Sequence, residues 1–157
     1  PIGISADKKP IFNDDNLKDL VLKTRVGDIL LHNVEGKYTL SERLYQGHLR
    51  RKEMHKQKGN GFGFSLFNAD SPYTSTISAR YYKDGSEILI EQQGKRPRKL
   101  HPIEAARLQG FPIGAHFRIV VSDTQAYKQF GNSVAVPMVQ TIASQIIEQI
   151  LTSTTHE

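Results

Sequence analysis

Arg98-Lys-Leu-His-Pro-Ile-Glu-Ala-Ala-Arg-Leu-Gln-Gly-Phe-Pro112, followed by Tyr127-Lys-Gln-Phe-Gly-Asn-Ser-Val-Ala-Val-Pro137, decides how this chain is read. Pro102 suits the first turn of a helix, where its missing N–H is not needed, and Glu104 would sit near the positive end of that helix. The helix is expected to run to about Gln109 and to stop at Gly110-Phe-Pro112. A strand is expected over Phe117 to Val121. Ser122-Asp123 can then cap a short helix through Phe130, which Gly131-Asn132 break. Pro137 opens the clearest helix of the chain. Val139, Ile142, Ala143, Ile146, Ile147 and Ile150 recur at three- and four-residue steps, giving an apolar stripe that needs a packing partner.

Upstream, Thr39-Leu-Ser-Glu42 fits a capping box, with Thr39 as N-cap, and predicts a helix to about Lys58 that Gly59 ends. Leu40, Leu44, Tyr45 and Leu49 give it a partial apolar stripe. Its other side is expected to be strongly basic, with Arg43, His48, Arg50, Arg51, Lys52, His55, Lys56 and Lys58. Such a run is either a solvated face or a phosphate-facing one. The glycine-rich stretch Gly59 to Gly63 leads into a strand expected over Phe62 to Phe67. It lacks the Gly-Lys-Ser/Thr ending of a nucleotide-cradling loop. Residues 74–91 read as a hairpin: Thr74 to Tyr82, the Asp84-Gly85 turn, then Glu87 to Glu91. Residues 92–99 read as a basic linker. Residues 1–38 read as irregular, with one or two helical turns at Leu17 to Leu22.

The composition allows a modest core, since 38% of residues are hydrophobic but the mean hydropathy is −0.46. A formal charge of +5 favours a polyanionic partner, because each cation set on a phosphate releases a counterion. The absence of cysteine excludes disulfides, thiolate metal sites and a cysteine nucleophile within this chain. No apolar run approaches the roughly 20 residues of a membrane span, and Pro1-Ile-Gly-Ile-Ser5 is not a signal peptide.

The two opening stretches resemble the last two conserved blocks, motifs IX and X, of the DNA cytosine-5 methyltransferases. Arg98, Leu100, Glu104, Arg107, Leu108, Gln109, Gly110, Phe111 and Pro112 match motif IX. His101 stands where threonine is usual, so the helix start is expected to be held differently. Tyr127 to Pro137 match motif X along its length. Gly59 to Gly63 and Ser78 to Ile90 are similar to the target recognition domain of the bacterial Dcm-type enzymes, which modify a cytosine in CC(A/T)GG. The family's Pro-Cys nucleophile, its cytosine-binding Glu, its motif VIII and its cofactor loop are not matched.

The resemblance implies an α+β chain. A small mixed recognition domain with a β-hairpin would be followed by C-terminal helices that complete a Rossmann-like S-adenosylmethionine-dependent domain. The expected division is an irregular segment 1–38, a recognition domain 39–99, a motif IX and X region 100–151 and a tail 152–157. Asn132, Ser133 and Val134 are implied to close one side of the S-adenosylmethionine pocket. Thr76-Ile77 are implied to lie near a flipped cytosine, with Arg80, Tyr81, Tyr82, Lys83, Arg96 and Arg98 on DNA. Arg80 is the first candidate for guanine readout. Glu104 and Arg107 are implied to be structural, and no catalytic residue or metal ligand is assigned. The implied partners are duplex DNA and a catalytic N-terminal portion or separate subunit, with no membrane. The implied setting is the bacterial cytoplasm, in DNA methylation or restriction-modification. A small subunit of a split enzyme, a non-catalytic DNA-binding module and an RNA substrate stand as alternatives.

Overall fold

The computed structural model describes residues 24–60, 63–114 and 117–154, apart from the side chains of 152–154. The helical turns expected at Leu17 to Leu22 lie outside the described residues, as do Phe62 and the end of the tail. The elements run α1 (Val26–Ile29), a 3-10 turn (Gly36–Tyr38), α2 (Glu42–Gln57), β1 (Leu66–Phe67), β2 (Leu89–Gln92), β3 (Lys95–Lys99), α3 (Pro102–Leu108), α4 (Asp123–Asn132) and α5 (Val136–Thr154). Residues 24–38 are thus more regular than expected.

A three-stranded sheet in the order β1-β2-β3 organises the middle of the chain. β1 pairs parallel with β2, Leu66 opposite Leu89 and Phe67 opposite Ile90. β2 pairs antiparallel with β3, Ile90 opposite Arg98 and Gln92 opposite Lys95, with an irregularity in register between Ile90 and Gln92. The hairpin therefore lies over residues 89–99. It turns at Gln93-Gly94, where Gly94 takes a φ of +68°, and the expected linker is its second strand. Pro97 is tolerated because β3 is an edge strand. Its carbonyl accepts from the Leu40 N–H (3.0 Å), and Thr39 bridges Arg98.

The first expected hairpin strand, Thr74 to Tyr82, is absent despite its Thr, Ile and Tyr content. Local hydrogen bonds win there: Ser78 Oγ accepts from the Arg80 N–H (3.2 Å) and the Ser78 carbonyl from the Tyr81 N–H (3.0 Å). Serine offers the backbone a turn in place of a ladder. The expected strand at Phe117 to Val121 is reduced to one bridge between Gly114 and Phe117.

The helix starts follow side-chain chemistry. α2 is capped by Ser41, whose Oγ accepts from the Leu44 N–H (3.3 Å), not by Thr39. Glu42 turns outward to Gln46 and Arg96. Ser122 caps α4 through the Gln125 N–H (3.4 Å). One core joins Val26, Ile77, Tyr81, Ile88, Ile90 and Leu100 to Ala105, Ala126, Tyr127 and Phe130, so it runs across residue 99. A smaller cluster of Leu40, Phe64 and Leu89 seats α2 through Leu44 and Tyr45.

Within Asp123–Leu151 an 18-residue window reaches a mean hydropathy of 1.3, apolar and long enough to cross a membrane, which the reading of the sequence did not anticipate. The stretch is broken into α4 and α5 at residues 133–135. In α5 the polar Gln140, Ser144, Gln145 and Glu148 share the helix with the apolar stripe, the pattern of a helix that packs one face. Val139, Ile146, Ile147 and Ile150 on that stripe are exposed.

Candidate functional site

Leu100 is the hinge of the site. It is fully buried, and both its backbone polar groups are held by tyrosine hydroxyls. Tyr81 O–H donates to the Ile88 carbonyl (2.7 Å) and its oxygen accepts from the Leu100 N–H (2.7 Å). Tyr127 O–H donates to the Leu100 carbonyl. The two rings pack edge to face at 5.2 Å. Burial pushes both phenols' pKa values up, so both stay protonated donors at neutral pH. The segments of Tyr81 and Tyr127, distant in sequence, are thus fixed to the backbone of Leu100.

Beside it lies a buried ion pair. Arg98 donates Nη1 to Glu104 Oε2 (2.7 Å) and Nη2 to Oε1 (2.9 Å). Glu104 also accepts from the N–H groups of His101 (2.7 Å) and Leu31 (2.8 Å). Four donors therefore satisfy a carboxylate with no solvent exposure. Arg107 does not pair with Glu104. It reaches the Ile29 carbonyl, near the limit for a hydrogen bond at 3.3 Å.

Motif IX then grips motif X. Gln109 Nε2 donates to the Phe130 carbonyl (3.0 Å), and the Gln109 carbonyl accepts from the Val136 N–H (2.8 Å). Gly110 has a φ of +81°, and a Cβ there would lie 2.5 Å from Pro137 Cδ. Gly131 is helical and does not break α4. A Cβ on it would fall 2.2 Å from the carbonyl carbon and oxygen of Ser78 and 2.4 Å from the Ala79 nitrogen. The last turn of α4, at Gly131, is therefore seated directly on the backbone that follows Thr76-Ile77.

Of the residues expected to close the cofactor pocket, Asn132 is exposed, and its amide has no hydrogen-bond partner among the described residues. Ser133 Oγ donates to the Phe130 carbonyl (2.7 Å), keeping its lone pairs free, and Val134 is 63% exposed. An exposed amide beside an apolar side chain fits one wall of a site for a polar, aromatic ligand.

On the DNA side the candidates divide. Thr76, Arg80 and Lys83 are exposed. Ile77 and Tyr81 belong to the core, and Arg98 is buried on Glu104, so these three are not available to DNA in this fold. Tyr82 is half-buried, with Lys128 Nζ 5.0 Å from its ring centre. Arg96 is partly exposed, but its guanidinium is engaged by the Leu40 carbonyl (2.8 Å) and Glu42 (3.1 Å). Reading the sequence passed over Ser78, which donates to Glu87 and orders the Arg80 turn. It also passed over Gln109 as the clamp. A β-type stretch containing serine was the available signal for the first; nothing local signals the second.

Two histidines tie this framework to pH. His101 does act as a cap: its Nδ1 accepts from the Ile103 N–H (3.1 Å). His48 Nε2–H donates to the Asp84 carbonyl (3.3 Å), and its Nδ1 accepts from Arg51 (2.9 Å). Burial holds both below the ordinary value of 6.5. As pH falls through 6.5 the unfolded chain takes up these protons and the folded chain does not. The stability they provide is complete above 6.5 and declines towards the lower folded values, by at most about 1.4 kcal/mol per pH unit for each histidine. Denaturant titrations at pH 7.5 and pH 5 should show the loss. His101→Asn, a neutral cap, should remove its share.

The chain belongs to the family of C-5 cytosine-specific DNA methylases, whose model matches residues 2–148. It is 65% identical over 150 residues to the Type II methyltransferase M.SsoII of Shigella sonnei, covering 94% of this chain and 39% of that protein. It is 58% identical over 148 residues to M1.ScrFI of Lactococcus lactis subsp. cremoris, covering 92% of this chain and 38% of that protein. It is 45% identical over 137 residues to the DNA-cytosine methyltransferase of Escherichia coli (strain K12), covering 74% and 29%. The chain thus spans about two fifths of the length of its first two relatives. Among solved structures, the S. pombe Dnmt2 methyltransferase superposes with a TM-score of 0.66 at 18% identity, covering 94% of this chain and 48% of that one. The Entamoeba histolytica methyltransferase EhMeth gives 0.61 at 17% identity, covering 81% and 41%. These two likenesses bear on the fold, which is α+β as expected.

Proposed function

We propose that this chain is the C-terminal, DNA-recognising part of a bacterial Dcm-like DNA (cytosine-5) methyltransferase. In this reading residues 39–99 choose the duplex site, and residues 100–151 complete the catalytic domain. The exposed apolar stripe of α5 packs on the remainder of that domain. S-adenosylmethionine, when bound, supplies the methyl group for C5 of a cytosine turned out of the duplex. The thiolate that adds to C6 comes from outside this chain, which has no cysteine. The described residues contribute binding and order. Asn132 and Val134 hold one side of the methyl donor, Thr76 stands near the target base, and Arg80 and Lys83 face the DNA. The whole works in the bacterial cytoplasm, at the nucleoid.

The observation that supports this best is the close packing of Gly131, the neighbour of Asn132, on Ser78-Ala79, which follow Thr76-Ile77. Equilibrium binding to a CC(A/T)GG duplex, a scrambled duplex and an RNA duplex tests the reading. The chain should prefer the first. Arg80→Ala should cost about 1–3 kcal/mol on that duplex and narrow its lead over the scrambled one. Equal loss on every sequence would make Arg80 a phosphate anchor, and preference for RNA would overturn the DNA assignment.

A further inference from the structure

α2 and its C-cap Lys58 carry most of the chain's net charge. From Glu42 to Lys58 there are six Lys or Arg against two Glu, a net of +4 out of the chain's +5. Both carboxylates are occupied: Glu42 by Gln46 and Arg96, and Glu53 by Gln57. Arg51 is bound to Asp84 (3.1 Å), and Lys52 Nζ lies 4.7 Å from the centre of the Phe64 ring. Arg43, Arg50, Lys56 and Lys58 are exposed and have no hydrogen-bond or ion-pair partner among the described residues.

The helix also contains a glycine that packing does not explain. Gly47 lies inside α2 in ordinary helical conformation, where glycine is unfavourable. A Cβ there would meet nothing within 4 Å. Gly47 falls between the exposed Arg43, one turn before it, and the exposed Arg50, one turn after, and is itself half-buried at the edge of the face that carries Leu44 and the buried His48. The result is a shallow gap in the helix surface flanked by two unpaired guanidinium groups.

We propose that this face of α2 binds the sugar-phosphate backbone of duplex DNA, with Arg43 and Arg50 on phosphates and the strand passing close over Gly47. The inference rests on the DNA-recognising function proposed above. Arg43 and Arg50 stand about 10 Å apart along the helix axis, so each can take a different phosphate. A guanidinium presents two parallel donors to phosphate oxygens. DNA is favoured over an acidic protein because the helix is tied to the turn carrying Arg80 and Lys83. His48 Nε2–H and Arg51 Nη2 both bind Asp84 of that turn, at 3.3 and 3.1 Å.

Fluorescence anisotropy of the 157-residue chain tests this on CC(A/T)GG and scrambled duplexes, over about 50 to 200 mM salt. Losing two phosphate contacts in Arg43→Gln/Arg50→Gln should make the slope of log K against log salt shallower by about 1.8. It should weaken both duplexes alike, because phosphates carry no sequence information. Gly47→Gln should raise the melting temperature yet weaken binding several-fold, opposite signs that a purely structural glycine would not give. An unchanged slope, or Gly47→Gln binding as tightly as the parent, overturns the proposal while leaving the recognition function intact. Tighter binding of an RNA duplex or an acidic polypeptide overturns the commitment to DNA. A parent chain that ignores duplex DNA at low salt overturns the recognition function and this proposal together.

Discussion

Gly131→Ala should destabilise the fold by about 3 kcal/mol or more, the upper end of what overpacking costs. For a chain of this size that lowers the melting temperature by about 10 °C. The added methyl would need to occupy space 2.2 Å from the Ser78 carbonyl group. The obstacle is backbone, so no rotamer change relieves it. Ser78 cannot retreat easily, because its side chain holds Glu87 and the Arg80 N–H, and the next turn leads into Tyr81, which is fully buried. Alanine is the better helix former by up to about 1 kcal/mol, so helix propensity pushes the other way and cannot explain a loss. Gly47→Ala provides the control: the same exchange in a helix with open space should be neutral or stabilising. Differential scanning calorimetry of the two variants checks this. Equal melting temperatures would mean that the contact at Ser78 does not constrain the fold.

Glu104→Ala should cost about 3–5 kcal/mol, the usual penalty for stranding one partner of a buried ion pair. The upper part of that range is expected. Arg98 would keep its charge in a buried place, and the N–H groups of His101 and Leu31 would lose their acceptor at the same time. Glu104→Gln keeps the volume and one carbonyl acceptor, so its loss should be smaller. Urea unfolding of the three proteins measures the differences. A Glu104→Ala loss under 1 kcal/mol would show that water or a neighbour replaces the carboxylate.

Several element ends were legible in the sequence. Pro102 and Glu104 mark the start of α3, Ser122 marks that of α4, and the three- and four-residue spacing from Val139 marks α5. Two errors were local, the Ser41 cap and the Ser78 turn, and the others came where distant partners decide. Lys95-Arg-Pro-Arg-Lys99 looks like a solvated linker, yet it forms a strand because Ile90 and Leu89 offer it a ladder. Glu104, six residues on, draws Arg98 out of solvent. Tyr81 resembles a surface recognition residue until Leu100, nineteen residues away, proves to need its hydroxyl. The candidate site was legible to the same extent. The Asn132-Ser133 turn and Arg80 were found as motif positions, while the grip of Gln109 on Phe130 and the reason for Gly131 lie in contacts with other segments.

These contacts support the proposed reading of a unit that positions a base and closes a cofactor site, with the nucleophile supplied from outside this cysteine-free chain. Transfer of tritiated methyl groups from S-adenosylmethionine to a CC(A/T)GG duplex tests that claim most directly, with the chain alone, a complementary Pro-Cys-bearing portion alone, and the two mixed. Label should enter the duplex only in the mixture. A mixture of two folded halves as inert as either one, or labelling by this chain alone, would contradict the account.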